Sequence, residues 1–154
     1  ELLKNPKDIV KSLEALLEEK AALQKKIEAF EQMQLKEEIK NQKSKIKNQN
    51  GINFLASQLD LSNADAVKTL AFELRNQVDN FLGVFTAELD AKPHISVIIS
   101  DNLVKDKGLN ASNIVRELAK EVQGGGGGQP FFASAGGKDV SGLKKVLEKA
   151  GSLV

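Results

Sequence analysis

Cysteine is absent from the chain. That removes disulfide frameworks and thiolate nucleophiles, and it fits a reducing compartment. Histidine occurs once, at position 94, so no imidazole pair is available for metal ligation or a proton relay. No stretch is apolar over the roughly 20 residues that a membrane-crossing helix needs, and no secretory leader pattern opens the sequence. Excess charge is missing too. There are 22 basic and 21 acidic residues, a net +1, so no whole-molecule field announces a nucleic acid or a membrane. The chain opens on Glu1 without an initiator Met and runs at once into a helical pattern, which reads as a piece of something larger. Aspartates such as Asp60, Asp90 and Asp101 sit at strand ends, where turn chemistry accounts for them. The expectation is a cytoplasmic chain with no catalytic residue, no metal site, no cofactor and no membrane partner.

Glycine and proline are also absent between Pro6 and Gly51. Asn5 is suited to cap a helix, Pro6 to the first helical position, and Asp8 to the positive end of the dipole. About 40 residues at 1.5 Å each predict a helix of roughly 60 Å. Ile9, Leu13, Leu16, Leu23, Ile27 and Phe30 recur at 3-4 spacing, with Lys20 inside the seam, the pattern of a coiled coil. The register slips near Met33–Leu35 and resumes at Leu35, Ile39 and Ile46, with Gln42 in the seam. No second helix of this length follows, so a partner is implied, either another copy or a neighbouring segment beyond this sequence. A second copy is the first choice, paired through Leu13, Leu16, Leu23, Ile27 and Phe30. Residues 36–47 hold five lysines against two glutamates, and Lys36, Lys40, Lys43 and Lys47 fall on one helical face. Such a row either follows a phosphate backbone or forms the solvated flank of a coiled coil.

Asn48-Gln49-Asn50-Gly51 reads as a helix stop and a domain boundary, dividing an arm, residues 1–50, from a globular part, residues 51–154. Ile52–Leu59 predicts a strand. Ser62-Asn63-Ala64-Asp65 resembles a capping box opening a helix with Val67, Leu70, Ala71, Leu74 and Val78 on one face. Phe81–Phe85 is a near-continuous apolar run and predicts a buried central strand. A turn at Asp90-Ala91-Lys92-Pro93 leads to a strand over Ile95–Ile99, an antiparallel hairpin. Leu103–Leu109 reads as a polar connection. Asn110 or Ser112 caps a helix with Ile114, Val115, Leu118 and Val122 inward. A short strand at Phe131–Ala135 precedes a last helix ending at Gly151. The predicted class is α+β: a long coiled-coil-like arm, then a mixed sheet of about four or five strands flanked by helices.

The stretch Gly124–Lys138 carries the most information. Five glycines, Gly124–Gly128, can take positive φ and bring bare backbone close to a partner. So few residues follow them that a structured loop is expected rather than a linker. The spacing is not that of a nucleoside-triphosphate loop, because Phe132 and Asp139 hold the positions of its first glycine and its hydroxyl residue. Gly136-Gly137-Lys138 is expected to lead directly into the last helix, where free amides, the helix dipole and the Lys138 charge suit an anion. Phe131 and Phe132 are expected either both to enter the core, the favoured reading, or to divide between the core and an exposed position that could stack on a base. His94 is expected to be structural or exposed.

Gly124–Gly128, Gln129-Pro130 and Ala133-x-Ala135-Gly136-Gly137 near the C-terminus resemble the signature of the C-terminal domain of alanyl-tRNA synthetases, within the wider DHH-associated domain family. The likeness covers about residues 50–154 in order and spacing. It implies a noncatalytic appendage that holds alanine-specific tRNA at its outer corner, with the helical arm contributing to a homodimer. Adenylate formation with ATP, and zinc-dependent removal of mischarged Ser or Gly, would belong to upstream catalytic and editing domains of the same chain. By motif position, Gly124, Gly125, Gly126, Gly127, Gly128, Gln129, Gly136, Gly137 and Lys138 would face RNA, joined by Lys36, Lys40, Lys43 and Lys47. Gln129 stands where the family often has a basic residue. Two other classes remain: a coiled-coil oligomerisation module without nucleic-acid binding, and the end of a DHH-type phosphoesterase.

Overall fold

A computed structural model describes residues 6–154; the expected cap at Asn5 lies outside them. The chain divides into two units, one ending at Glu37 and the other beginning at Glu38. Helix α1 spans Pro6–Ser44, with Asp8 in its first turn. Along the first unit most of the described large apolar side chains face solvent: Leu16 is 62 % exposed and Phe30 73 %, and Val10, Leu13, Leu17, Leu23, Ile27 and Met33 are comparably open, while Ile9 and Leu35 are half-buried.

The second unit is built on one mixed sheet in the order β1-β2-β3-β4-β6-β5. Its strands are β1 (Lys47–Gln49), β2 (Ile52–Leu59), β3 (Phe81–Leu89), β4 (Lys92–Ile99), β5 (Gly125–Gly128) and β6 (Phe132–Gly136). Helix α2 (Ala64–Gln77) carries the chain from β2 to β3, and that pair is parallel, the arrangement that needs a crossover connection of this kind. Every other neighbouring pair is antiparallel. Alternation along β3 sends Leu82 and Val84 to one face and Phe81 and Phe85 to the other. The first face packs on α4 (Ala111–Ala119) and α5 (Leu143–Gly151), joining Val97, Ile99, Val115, Leu118 and Val146 in one core. The second is covered by Val67, Leu70, Ala71 and Leu74 of α2. Because β3 is buried on both faces, its sequence is apolar almost throughout.

Several local expectations shift. The long helix stops at Ser44, so Gln42 is not a seam residue but a buried one in the second unit. Lys47 is not helical either; it opens β1. Asn48–Gly51 is not a helix stop: Asn50 and Gly51 take positive φ and turn the β1–β2 hairpin. The cap of α2 is Asn63 rather than Ser62, its side chain accepting from the Ala66 amide at 2.8 Å. Asp90 and Ala91 alone make the β3–β4 turn, both at positive φ, and Lys92 and Pro93 already belong to β4. The connection expected at Leu103–Leu109 is helix α3 (Asp101–Lys107), closed by Gly108 at φ 64° with Leu103 buried. The sheet has six strands, and its two edges, Lys-Asn-Gln and a glycine run, carry no apolar alternation that would mark them in the sequence.

Candidate nucleic-acid interface

The glycine run is an edge strand, not a loop. β5 pairs antiparallel with β6, Gly127 opposite Ser134 and Gly125 opposite Gly136. The hairpin closes with the Gln129 amide donating to the Phe132 carbonyl at 2.8 Å. From that bonded pair, antiparallel alternation commits Gly127 and Gly125 to β6 and turns the N–H and C=O of Gly126 and Gly128 to the open side. The glycines are not there for left-handed backbone, since the positive-φ glycines are Gly51 and Gly108. Close approach selects them. A methyl group at Gly124, Gly126 or Gly128 would fall on the carbonyls of Gly136, Ser134 or Phe132. At Gly125 it would meet nothing, and at Gly127 it would lie 3.4 Å from Arg116 Nη2 and Ser112 Oγ.

Arg116 is a candidate side chain that the sequence did not single out. Ser112 and Arg116 are one turn apart on α4, which packs against β5 and β6. Together they bring a hydroxyl and a guanidinium to the glycine strand. The neighbouring cations are engaged elsewhere, Lys120 with Glu117 at 2.7 Å and Lys149 with Glu121 at 3.1 Å. The first of these pairs holds the Glu117 carboxyl below its usual range. Among the described residues Arg116 has no acidic partner. A guanidinium fork beside backbone amides is a good receptor for a phosphate oxygen.

The expected anion nest at Gly136-Gly137-Lys138 is filled by the chain itself. The Gly137 amide donates to the Pro93 carbonyl, and the Lys138 and Asp139 amides both donate to Val122 O, at 2.9 and 3.1 Å. A 3-10 turn, Val140–Gly142, stands between this segment and α5 and is capped by Asp139. Gly137 is small because Val122 lies against it. Its amides are therefore structural.

Phe131 and Phe132 are both half-buried, so neither the fully buried nor the freely exposed expectation holds. They cluster with Phe72 of α2, at ring-centre distances of 6.5 and 5.2 Å. Arg75 lies over Phe131 at 5.3 Å and Lys68 over Phe132 at 5.8 Å. Of the four aligned lysines, Lys36, Lys40 and Lys43 are on α1 and exposed, and Lys43 donates to Gln77 at 3.3 Å; Lys47 begins β1, which breaks the single row. His94 lies on β4 opposite Gly136, its Nε2 2.9 Å from Ser96 Oγ, and burial lowers its pKa. Among the described residues no group of three His, Cys, Asp or Glu could hold a metal ion. No described helix is long and apolar enough to cross a membrane.

Residues 51–154 match the family model of the DHHA1 domain. The alanine–tRNA ligase of Cytophaga hutchinsonii is 51 % identical over 154 residues, covering 100 % of this chain and 18 % of that protein. The alanine–tRNA ligase of Christiangramia forsetii is 48 % identical, covering 99 % of this chain and 17 % of that protein. The chain thus spans less than a fifth of the length of these relatives. Among solved structures, the C-Ala domain from Aquifex aeolicus alanyl-tRNA synthetase superposes with a TM-score of 0.60 at 20 % identity, covering 68 % of this chain and 92 % of that one. A DHH domain described as a member of the s1p family of ribosomal proteins superposes with a TM-score of 0.53 at 17 % identity, covering 79 % of this chain and 30 % of that one. These two likenesses are of fold.

Proposed function

The chain belongs to the DHHA1 domain family, and from that premise we propose that it is the noncatalytic C-terminal part of an alanine–tRNA ligase, holding tRNA on its globular unit and pairing with a second copy through its arm. The observation that carries this reading is the unbroken match to alanine–tRNA ligases over the arm as well as the globular unit. A phosphoesterase fragment would not explain a ligase likeness that includes the arm.

The glycine edge and Arg116 supply the proposed RNA contact. Bare amides at Gly126 and Gly128 approach a phosphate or sugar oxygen without steric obstruction, and Arg116 adds the charge. Lys40 and Lys43 extend the positive surface of the same unit. With a net charge of +1, the chain alone binds tRNA modestly; tight binding needs the contacts of other domains of the ligase, acting as a multivalent pair. ATP, zinc and both reaction centres belong to those other domains, in a cytoplasmic enzyme. The exposed seam of Leu13, Leu16, Leu23, Ile27 and Phe30 is the proposed dimer face.

Sedimentation of the chain with and without alanine tRNA, at two salt concentrations, tests both proposals. A dimer that shifts with tRNA and loses the shift as salt rises agrees with them, since phosphate contacts release counterions. A dimer that ignores tRNA at low salt leaves only an oligomerisation module.

A further inference from the structure

We infer that the polar cleft between the end of α2 and the ends of β3 and β4 is a nucleobase site, which takes one amine-bearing base of an RNA loop. The assignment rests on the proposed tRNA role and locates a second contact for the same RNA. The cleft has a volume of about 550 Å³, and Arg75, Asn76, Asp79, Asn80, Asp101 and Asn102 line it. That lies within the roughly 300–1,000 Å³ of small-ligand sites.

Its free hydrogen-bonding capacity decides the ligand class. Arg75 is committed: Nη2 meets Asp101 Oδ1 at 2.5 Å, the guanidinium lies over Phe131, and the side chain is only 16 % exposed. Asn102 Nδ2 donates to Asn80 Oδ1, which leaves Asn102 Oδ1 as an acceptor and Asn80 Nδ2 as a donor. Asn80 is fixed in position by its φ of 50° and by its carbonyl, which accepts the Asn53 amide. The Asn76 amide and the Asp79 carboxylate have no side-chain partner among the described residues, and both are exposed. The cleft therefore offers mixed donors and acceptors with two carboxylates against one guanidinium. That balance repels a phosphate and suits a base edge, because carboxylates accept from the exocyclic amines of cytosine, adenine or guanine. Unpaired loop bases are the ones RNA-binding proteins read in this way.

The fold links the cleft to the glycine edge. The β5–β6 hairpin runs from Gly128 through Gln129 and Pro130 to Phe131, whose ring backs Arg75. One RNA can therefore lay its backbone along β5 and place a neighbouring base beyond the hairpin tip.

Asp79→Ala in the full 154-residue chain gives the test a sign. Loss of a base contact weakens binding of an alanine-tRNA transcript by about tenfold, with the salt slope unchanged, as expected of a contact to a base edge and not to a phosphate. Were the cleft merely beside phosphates, removal of its negative charge would leave affinity unchanged or raise it, and either result overturns the assignment. Asn76→Ala is expected to weaken binding in the same direction, and an unchanged urea midpoint for both variants separates contact loss from unfolding. If cytidine, adenosine or guanosine monophosphate perturbs the Asn76 side-chain NMR signal at the concentrations at which tRNA does, the occupant is a free nucleotide and the RNA assignment falls. If the wild-type chain binds no tRNA at any salt concentration, the tRNA role itself fails. That outcome differs from normal wild-type binding with indifferent variants, which overturns the cleft alone.

Discussion

The arm and the sheet domain use the same kind of residue in opposite ways. Leu13, Leu16, Ile27 and Phe30 on α1 are more than half exposed, whereas Leu70, Leu74, Phe81 and Phe85 are wholly buried. Both sets recur at a regular spacing, 3-4 along the arm and along α2, and on alternate residues of one face of β3. Periodicity thus announces that a face will be covered, and it says nothing about what covers it. In the second unit the cover is the chain's own α2, α4 and α5. On the arm no cover is given by the first unit itself, and a second copy is the proposed one.

The largest expected effect tests that contrast directly. Leu16→Glu with Ile27→Glu should lower the dimer association constant by at least about a hundredfold, each buried aliphatic contributing roughly 1.5–3 kcal/mol. The urea midpoint of the globular unit should stay where it was. Sedimentation equilibrium measures the first and denaturant titration the second, and a midpoint that falls with the dimer would show that the two regions are not independent.

The reverse experiment strikes the sheet and spares the arm. Gly126→Ala should cost about 1–3 kcal/mol by overpacking against Ser134 and Ala135, whereas Gly125→Ala, facing open space, should change stability by less than about 0.5 kcal/mol. Equal effects at the two positions would mean that close approach does not select the glycines.

These pairs also mark what could be read from the residues. β3 was legible because burial on both faces leaves a run of apolar side chains, and the β3–β4 hairpin because Asp90 and Lys92-Pro93 punctuate it. β5 was not, because a strand without side chains carries no alternation to detect. Lys138 was singled out and Arg116 missed for one physical reason. Proximity in sequence placed Lys138 beside glycines, while Arg116 reaches the strand from a helix packed on it. The cleft lay further out of reach, since residues 75–80 and 100–102 meet only once β3 and β4 are paired.

A smaller effect is expected from Arg116→Ala. It should leave stability within about 0.5 kcal/mol and reduce the salt slope of tRNA binding by about one, the signature of one lost phosphate contact. Fluorescence anisotropy at several salt concentrations checks it; an unaltered slope would remove Arg116 from the interface.

The smallest effect concerns His94. Burial lowers its pKa from 6.5, so the unfolded chain binds the proton more readily than the folded one. The stability associated with the neutral ring is fully present above pH 6.5 and is lost as pH falls from there through the lower folded value. His94→Gln should therefore flatten the decline of the urea midpoint below pH 6.5. A variant as acid-sensitive as the wild type would assign that decline to other groups.

The bare strip along β5 has an evolutionary corollary. At positions 124, 126 and 128 every alternative amino acid adds volume, so drift there can proceed only by enlarging a residue where no room exists. Most surfaces can be retuned by swapping one side chain for another; at these three positions there is no side chain to exchange. Adjustment must therefore come from Gly125 and Gly127, which have room, or from the flanks, at Gln129 on one side and at Ser112 and Arg116 on the other, while positions 124, 126 and 128 stay fixed as ground on which those residues vary.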